Sequence, residues 1–170
     1  MKIHSFARLV PLLCLLTACG FHTVYGTRSS DAGTPVAVAL NEVAIDNIAD
    51  RQGQILRNLL IDKMYGKGRP SLPNYTLSIK LRSTEEDLGI LANAIATRSL
   101  MNTYGDYELK DLKGKSLMHG TAHSTTSYDK LNDQYGTLAA REDARQRTIN
   151  EVSEQIVNRL SLYFSERPSL

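Results

Sequence analysis

Apolar residues recur along this chain in two rhythms, every second residue and every third or fourth, and the switches between them mark out its elements. The clearest strand is Tyr75–Arg82, where Tyr75, Leu77, Ile79 and Leu81 alternate with Thr76, Ser78, Lys80 and Arg82. Such a strand turns one face to a core and the other to a polar surround. Two further strands are predicted at Ala94–Leu109 and Ser116–Tyr128, joined by the hairpin turn Leu112-Lys113-Gly114-Lys115. They are rich in Thr, Ser, Ala, His and Tyr, so neither face is strongly oily. Upstream, Val36, Val38 and Leu40 alternate with small residues, which predicts a first strand over Pro35–Val43. Proline at its start suits an edge position.

The helical rhythm appears twice. Asp50 reads as an N-cap before a helix over Arg51–Tyr65, with Ile55, Leu56, Leu59, Leu60 and Met64 on one face. Gly66, Gly68 and Pro70 end it. After a break at Asn132–Gly136, a long helix is predicted over Thr137–Ser165, with a stripe of Leu138, Ile149, Val152, Ile156, Leu160 and Phe164. Ala144 and Thr148 fill a gap in that stripe, which predicts closer and less oily packing there. Arg141, Glu142, Asp143, Arg145, Gln146 and Arg147 read as a solvated face. Glu85, Glu86, Asp87 and Gly89 read as a loop. The order is β-α-β-β-β-α. It predicts an α+β fold, a two-layer sandwich with two helices on one face of a four-stranded, mostly antiparallel sheet. Helix and strands of about 40 Å each match in length. The other sheet face is left polar and uncovered.

Before this domain, at residues 35–170, come two segments of a different kind. Met1–Ala18 has a basic start at Lys2 and Arg8, the apolar run Leu9–Leu16, and the small residues Thr17 and Ala18. This is a secretory signal. Eight apolar residues broken by Pro11 fall short of the roughly 20 that span a bilayer. Leu16-Thr17-Ala18-Cys19 is a lipobox, so Cys19 is the expected lipidation site and the new first residue. Each buried acyl methylene contributes roughly 0.8 kcal/mol, so several chains together anchor a protein durably. Gly20 stands where an inner-membrane retention aspartate would, which indicates the outer membrane, periplasmic side. Residues 19–34 read as a tether with an r.m.s. reach of about 20 Å.

Composition changes the picture in two ways. The full chain carries 20 Lys+Arg and 18 Asp+Glu. Lys2 and Arg8 leave with the signal, so the mature chain is balanced at 18 of each sign. That removes any bulk nucleic-acid footprint. Of the two cysteines, Cys14 is cleaved off and Cys19 is lipidated, which leaves no disulfide and no free thiol.

Catalytic chemistry finds no support. No nucleophile elbow, phosphate loop or metal-ligand spacing occurs. His119 and His123 share a strand face but stand about 13 Å apart, too far to share an ion. No cofactor, metal or catalytic residue is expected. Lys80, Arg82 and Arg98 are the candidate ligand-binding residues: clustered cations on a polar sheet face suit phosphate or carboxylate groups. Cross-strand charges kept for solubility would look the same.

Several stretches together resemble the LPS-assembly lipoprotein LptE family. They are Cys19-Gly20-Phe21 with Tyr25-Gly26, then Asp50-Arg51-Gln52-Gly53-Gln54-Ile55-Leu56-Arg57-Asn58-Leu59-Leu60, Tyr75-Thr76-Leu77, Ala96-Thr97-Arg98, and the helix Ala144–Phe164. The resemblance implies a non-enzymatic plug and assembly partner of the outer-membrane β-barrel LptD, taking part in lipopolysaccharide transport to the outer leaflet. It gives Lys80, Arg82 and Arg98 the phosphates of lipopolysaccharide as a ligand. Leu88–Ile95 lacks clear charged markers, so nothing in that loop marks a contact of its own. Another outer-membrane lipoprotein role, as a barrel-assembly accessory or a secretin pilot, shares the anchor and the lack of catalysis.

Overall fold

A computed structural model describes residues 35–66, 68, 70, 72–90, 96–131 and 133–166. The chain divides into Met1–Thr34 and Pro35–Leu170, and every described residue lies in the second unit. The signal, Cys19 and the tether lie outside the described residues. Seven elements follow in order: α1 Pro35–Asn41, β1 Val43–Ile45, α2 Asp50–Met64, β2 Tyr75–Ile90, β3 Ala96–Asp111, β4 Ser116–Asp129 and α3 Gln134–Ser165. The sheet order is β1-β2-β3-β4. β1 runs parallel to β2, and the other pairs are antiparallel. This is the α+β sandwich expected, with one helix more.

The extra helix replaces the strand expected at Pro35–Val43. Leu40 is buried, Val36 and Ala39 pack against the core, and Val38 is 47% exposed. Inward positions 36, 39 and 40 follow helical spacing, whereas a strand would also have turned Val38 inward. Pro35 opens the helix, where its missing N–H costs nothing. The strand is the next three residues, with Val43 and Ile45 buried. It is fixed to β2 through Asp46 N–H donating to the Leu77 carbonyl at 3.0 Å.

α2 buries Leu56, Leu60 and Met64 of the predicted face and Gly53 besides, while Ile55 and Leu59 are partly buried against the core. Its start is tight. A Cβ on Gly53 would lie 2.6 Å from Ile48 Cγ2 and 2.9 Å from Ile48 backbone atoms, so only glycine fits. The N-cap is Ala49, whose side chain has no group to cap with, rather than the expected Asp50. Asp50 is the first residue of the helix and takes φ +68°, a left-handed conformation that aspartate tolerates better than most residues.

β2 runs eight residues past the predicted end at Arg82. Glu85, Glu86 and Asp87 therefore lie in strand, not in a loop, and pair with Met101, Leu100 and Ser99. Glu86 is exposed, while the charges of Glu85 and Asp87 are matched across the fold. Glu85 accepts from Arg141 at 2.5 Å, Arg145 at 3.4 Å and Tyr128 at 3.2 Å. Asp87 accepts from Ser99 and Lys130, both at 2.6 Å. Arg141 and Arg145 thus serve the sheet, although their neighbours Asp143 and Arg147 do form an exposed pair as expected. The β3–β4 hairpin turns where predicted. Asp111 Oδ1 accepts from the N–H groups of Lys113 and Lys115, and Gly114 takes φ +79°.

α3 is 32 residues long and begins three residues before the predicted start, because Asp133 caps it through Tyr135 N–H and Gly136 N–H. It lies along β3 and β4. The main core packs Leu56, Leu60, Leu77, Leu109, Ile156 and Leu160 between the layers. Beyond it the interior mixes polar groups with a second, small apolar cluster of Met101, Tyr128 and Ala144. Thr103, Ser124 and Thr148 are buried, and Thr103 Oγ1 lies 2.8 Å from Thr148 Oγ1 and 3.1 Å from Ser83 Oγ. Ala144 and Thr148 are fully buried, as their place in the stripe predicted. No described helix is long and apolar enough to cross a membrane.

Candidate functional site: the polar sheet face

The strand registers fix which side chains share the outer face. On β2 and β3 these are the even-numbered residues, and on β4 the odd-numbered ones. The alternation of Tyr75–Arg82 dictates this, since its odd residues are the apolar set that meets the helices. Six cross-strand rows result, among them Lys80–Asp106–Thr121, Arg82–Tyr104–His123 and Thr84–Asn102–Thr125. On this face Lys80, Arg82, Thr84 and Glu86 are exposed, as are Thr121, His123, Thr125, Ser127 and Asp129.

Within these rows the groups answer one another. The Arg82 guanidinium sits 4.5 Å from the Tyr104 ring centroid, a cation–π contact. Tyr104 and His123 stack at 4.3 Å, 16° from parallel. Arg82 Nε donates to Asp106 Oδ2 at 3.4 Å, and Thr121 Oγ1 donates to Asp106 Oδ1 at 2.6 Å. The Thr121 hydrogen bond, with the charges of Arg82 and Lys80 behind it, holds the Asp106 carboxyl below its ordinary pKa. Hydrogen bonds from Lys110 and Ser116 do the same for Glu108.

Lys80 and Arg82 are thus side by side, flanking one carboxylate. Arg98 is on the same face but opposite Leu88, six residues further along β2, or about 20 Å from Arg82. It pairs with Asp129 at 2.9 Å. The three cations form a pair and a separate single, rather than one cluster. Sequence reasoning did not place Tyr104, Asp106 and Thr121 beside these cations, and it treated His123 only as an isolated histidine. Counting pairs back from the hairpin turn would have misplaced them, because a bulge between Leu109 and Lys110 shifts the β3–β4 register by one residue.

Little in this arrangement is set up for bond chemistry. Thr125 Oγ1 lies 3.0 Å from His123 Nε2 and donates to Asn102 Oδ1 at 2.7 Å, on an exposed face with no carboxylate orienting the ring. Ser124 donates to Glu151 on the opposite side of the sheet. No group of three or more metal-ligating side chains occurs among the described residues. Apart from the half-buried Leu88 and Leu100 the face is mostly neutral and charged polar groups, suited to adhesion by many modest contacts.

Comparison with known proteins gives this architecture a context. The chain is similar in structure to a putative lipoprotein from Caulobacter crescentus, at TM-score 0.64 and 22% identity, covering 78% of this chain and 97% of that one. It is similar also to lipoprotein B from Nitrosomonas europaea (TM-score 0.59, 15% identity, 73% and 84% covered). A third likeness is to a minor lipoprotein from Acinetobacter baumannii (TM-score 0.52, 15% identity, 71% and 90% covered). At these identities the likeness establishes the shared fold. No curated protein sequence matches the chain. The sequence profile of one family, LptE, described as lipopolysaccharide-assembly, matches residues 38–160, from α1 to the last turns of α3. The chain therefore belongs to the LptE family of lipopolysaccharide-assembly proteins.

Proposed function

We propose that the mature chain is held at the periplasmic side of the outer membrane by lipid on Cys19 and acts as a non-catalytic plug and assembly partner of the LptD β-barrel. In that setting it takes part in carrying lipopolysaccharide to the outer leaflet. The observation that carries this reading is the outer sheet face, a polar wall three long strands wide that no described element covers. The lumen of an outer-membrane barrel is polar. A sheet face of Thr, Ser, Asn and matched charges can lie against such a lining with its polar groups paired. Lys80 with Arg82 forms one phosphate contact, and Arg98 forms a second about 20 Å away, a spacing that fits a large, multiply charged glycolipid better than a single phosphate.

Photo-crosslinking in cells tests the reading. A photoreactive residue at Thr84, Asn102 or Thr125 is expected to give an adduct with a large β-barrel. The same residue at the exposed α3 positions Arg147 and Arg159 is the comparison. Adducts confined to α3, or recovery with a secretin ring, would defeat the barrel reading. For the lipid contact, Lys80→Glu with Arg82→Glu is expected to weaken lipopolysaccharide binding at least tenfold, and unchanged binding would remove these residues from the site.

A further inference from the structure

The two edges of the sheet are treated differently. On β4 the backbone groups of His123 point outward, and α3 occupies both. Gln155 Oε1 accepts from His123 N–H at 3.2 Å, and Gln155 Nε2 donates to the His123 carbonyl at 2.9 Å. On the other side β1 covers only Tyr75–Leu77. The Leu77 carbonyl faces β1, so by alternation the N–H and C=O of Leu81, Ser83 and Glu85 face the same way. Among the described residues nothing bonds to those backbone groups from that side. An open edge of this length is a template for another strand.

Beside that edge lies a groove of about 610 Å³ between β2 and the start of α2. Its floor includes Leu81 and Met101, and its charged lining is Arg51, Arg82, Arg141 and Arg145 against Asp50 and Glu85. Glu85 is already held by both Arg141 and Arg145. The Nε of Arg145 is enclosed and has no hydrogen-bond partner among the described residues. The first turn of α2 opens at the same place with no side-chain cap, leaving N–H donors free. Donors and positive charge therefore converge on a groove whose wall is an unpaired strand.

We infer that this edge is a docking site for an extended acidic segment of a partner protein, which adds to β2 at Leu81–Glu85 as a further strand and turns a carboxylate into the groove. Main-chain pairing supplies the adhesion, and the carboxylate supplies selectivity through Arg145, Arg51 and the α2 start. A small phosphate would use the groove but leave the strand edge bare. A second copy of the chain would use the edge. The inference does not depend on the barrel reading, since an isolated peptide tests it.

The full mature chain in detergent is titrated with a labelled decapeptide of alternating Val and Glu, with its Val–Lys counterpart, and with inorganic phosphate. The acidic peptide is expected to bind at least tenfold more tightly than the basic one. It is also expected to slow amide exchange at Leu81, Ser83 and Glu85, the edge-facing set. Ser83→Pro removes one edge N–H without touching the β2–β3 ladder and is expected to weaken binding at least tenfold. Arg51→Glu, on an exposed side chain, is expected to weaken it at least threefold and guards against a folding defect in the proline variant. Equal binding of both peptides would overturn the inference. So would protection by phosphate alone, or protection that grows with protein concentration in the absence of peptide.

Discussion

A glycine in mid-strand controls how closely α3 approaches the sheet. An ideal Cβ on Gly105 would lie 2.9 Å from Val152 Cγ1 and 3.6 Å from Ile156 Cδ1, against an ordinary carbon contact of about 3.5–4.0 Å. Gly105→Ala therefore requires a shift of about 0.6–1 Å on a backbone pinned on both sides by strands. Overpacking of this kind costs about 1–3 kcal/mol, while replacing glycine in a strand returns about 0.5–1 kcal/mol. The expected result is a net loss of about 1–2 kcal/mol, read as a lower urea midpoint at unchanged slope. Val152→Ala removes the methyl in question and on its own costs about 2–3 kcal/mol as a buried truncation. Combined, the new methyl enters the space the valine leaves. The double variant should then be more stable than the two separate losses predict, by at least about 1 kcal/mol. Additivity to within about 0.5 kcal/mol would show that Gly105 and Val152 are not in contact, and the argument about helix–sheet spacing would fail.

Three other outcomes are expected. Thr148→Val strips a buried hydroxyl that Thr103 needs and should cost about 1–2 kcal/mol in urea denaturation, though its volume is unchanged. Val38→Lys should alter stability by less than about 0.5 kcal/mol while Leu40→Ala costs about 2 kcal/mol or more, a contrast that a strand at 35–43 would not give. Hydrogen bonds from Lys130 and then Ser99 lower the pKa of Asp87, so its contribution is present above the ordinary carboxylate value and is lost as pH falls through the lowered one. Asp87→Asn should accordingly flatten the acid limb of a stability–pH profile below about pH 5 and leave the region above pH 6 parallel to wild type.

What the sequence made legible depended on distance. Elements whose signal is local came through: the alternation of Tyr75–Arg82, the stripe of α2, the Leu112–Lys115 turn and the Ala144/Thr148 gap all rest on neighbours within a few residues. The failures share a cause. Glu85 and Asp87 suggested a loop because carboxylates on the inner side of a strand are costly. Their partners, Arg141, Arg145, Tyr128 and Lys130, stand 43 to 60 residues away. The first helix failed for the opposite reason. Val, Ala and Leu at 36–40 satisfy both periods in so short a run, and only the core decides which positions face inward. At the candidate site Lys80 and Arg82 were legible as a pair from one strand. Arg98 was not, because its place depends on how far β2 extends.

The interior is divided along its length, and the division bears on function. Near β1 the layers meet through Leu56, Leu60, Leu77, Leu109, Ile156 and Leu160, all buried. Towards the far end they meet through Ser83, Thr103 and Thr148, then Ser124 with Glu151, then a small apolar cluster of Met101, Tyr128 and Ala144 beside Glu85 and Asp87 with their cations. An exchanged hydrogen bond contributes about 1 kcal/mol net, whereas a buried leucine contributes about 1.5–3 kcal/mol. The far end therefore depends more than the near end on polar groups set in a specific geometry. That is also the end that carries the bare edge of β2 and its cationic groove. There the polar contacts between Ser83, Thr103 and Thr148, and between Asp87, Ser99 and Lys130, tie the strands to one another and to the helix layer.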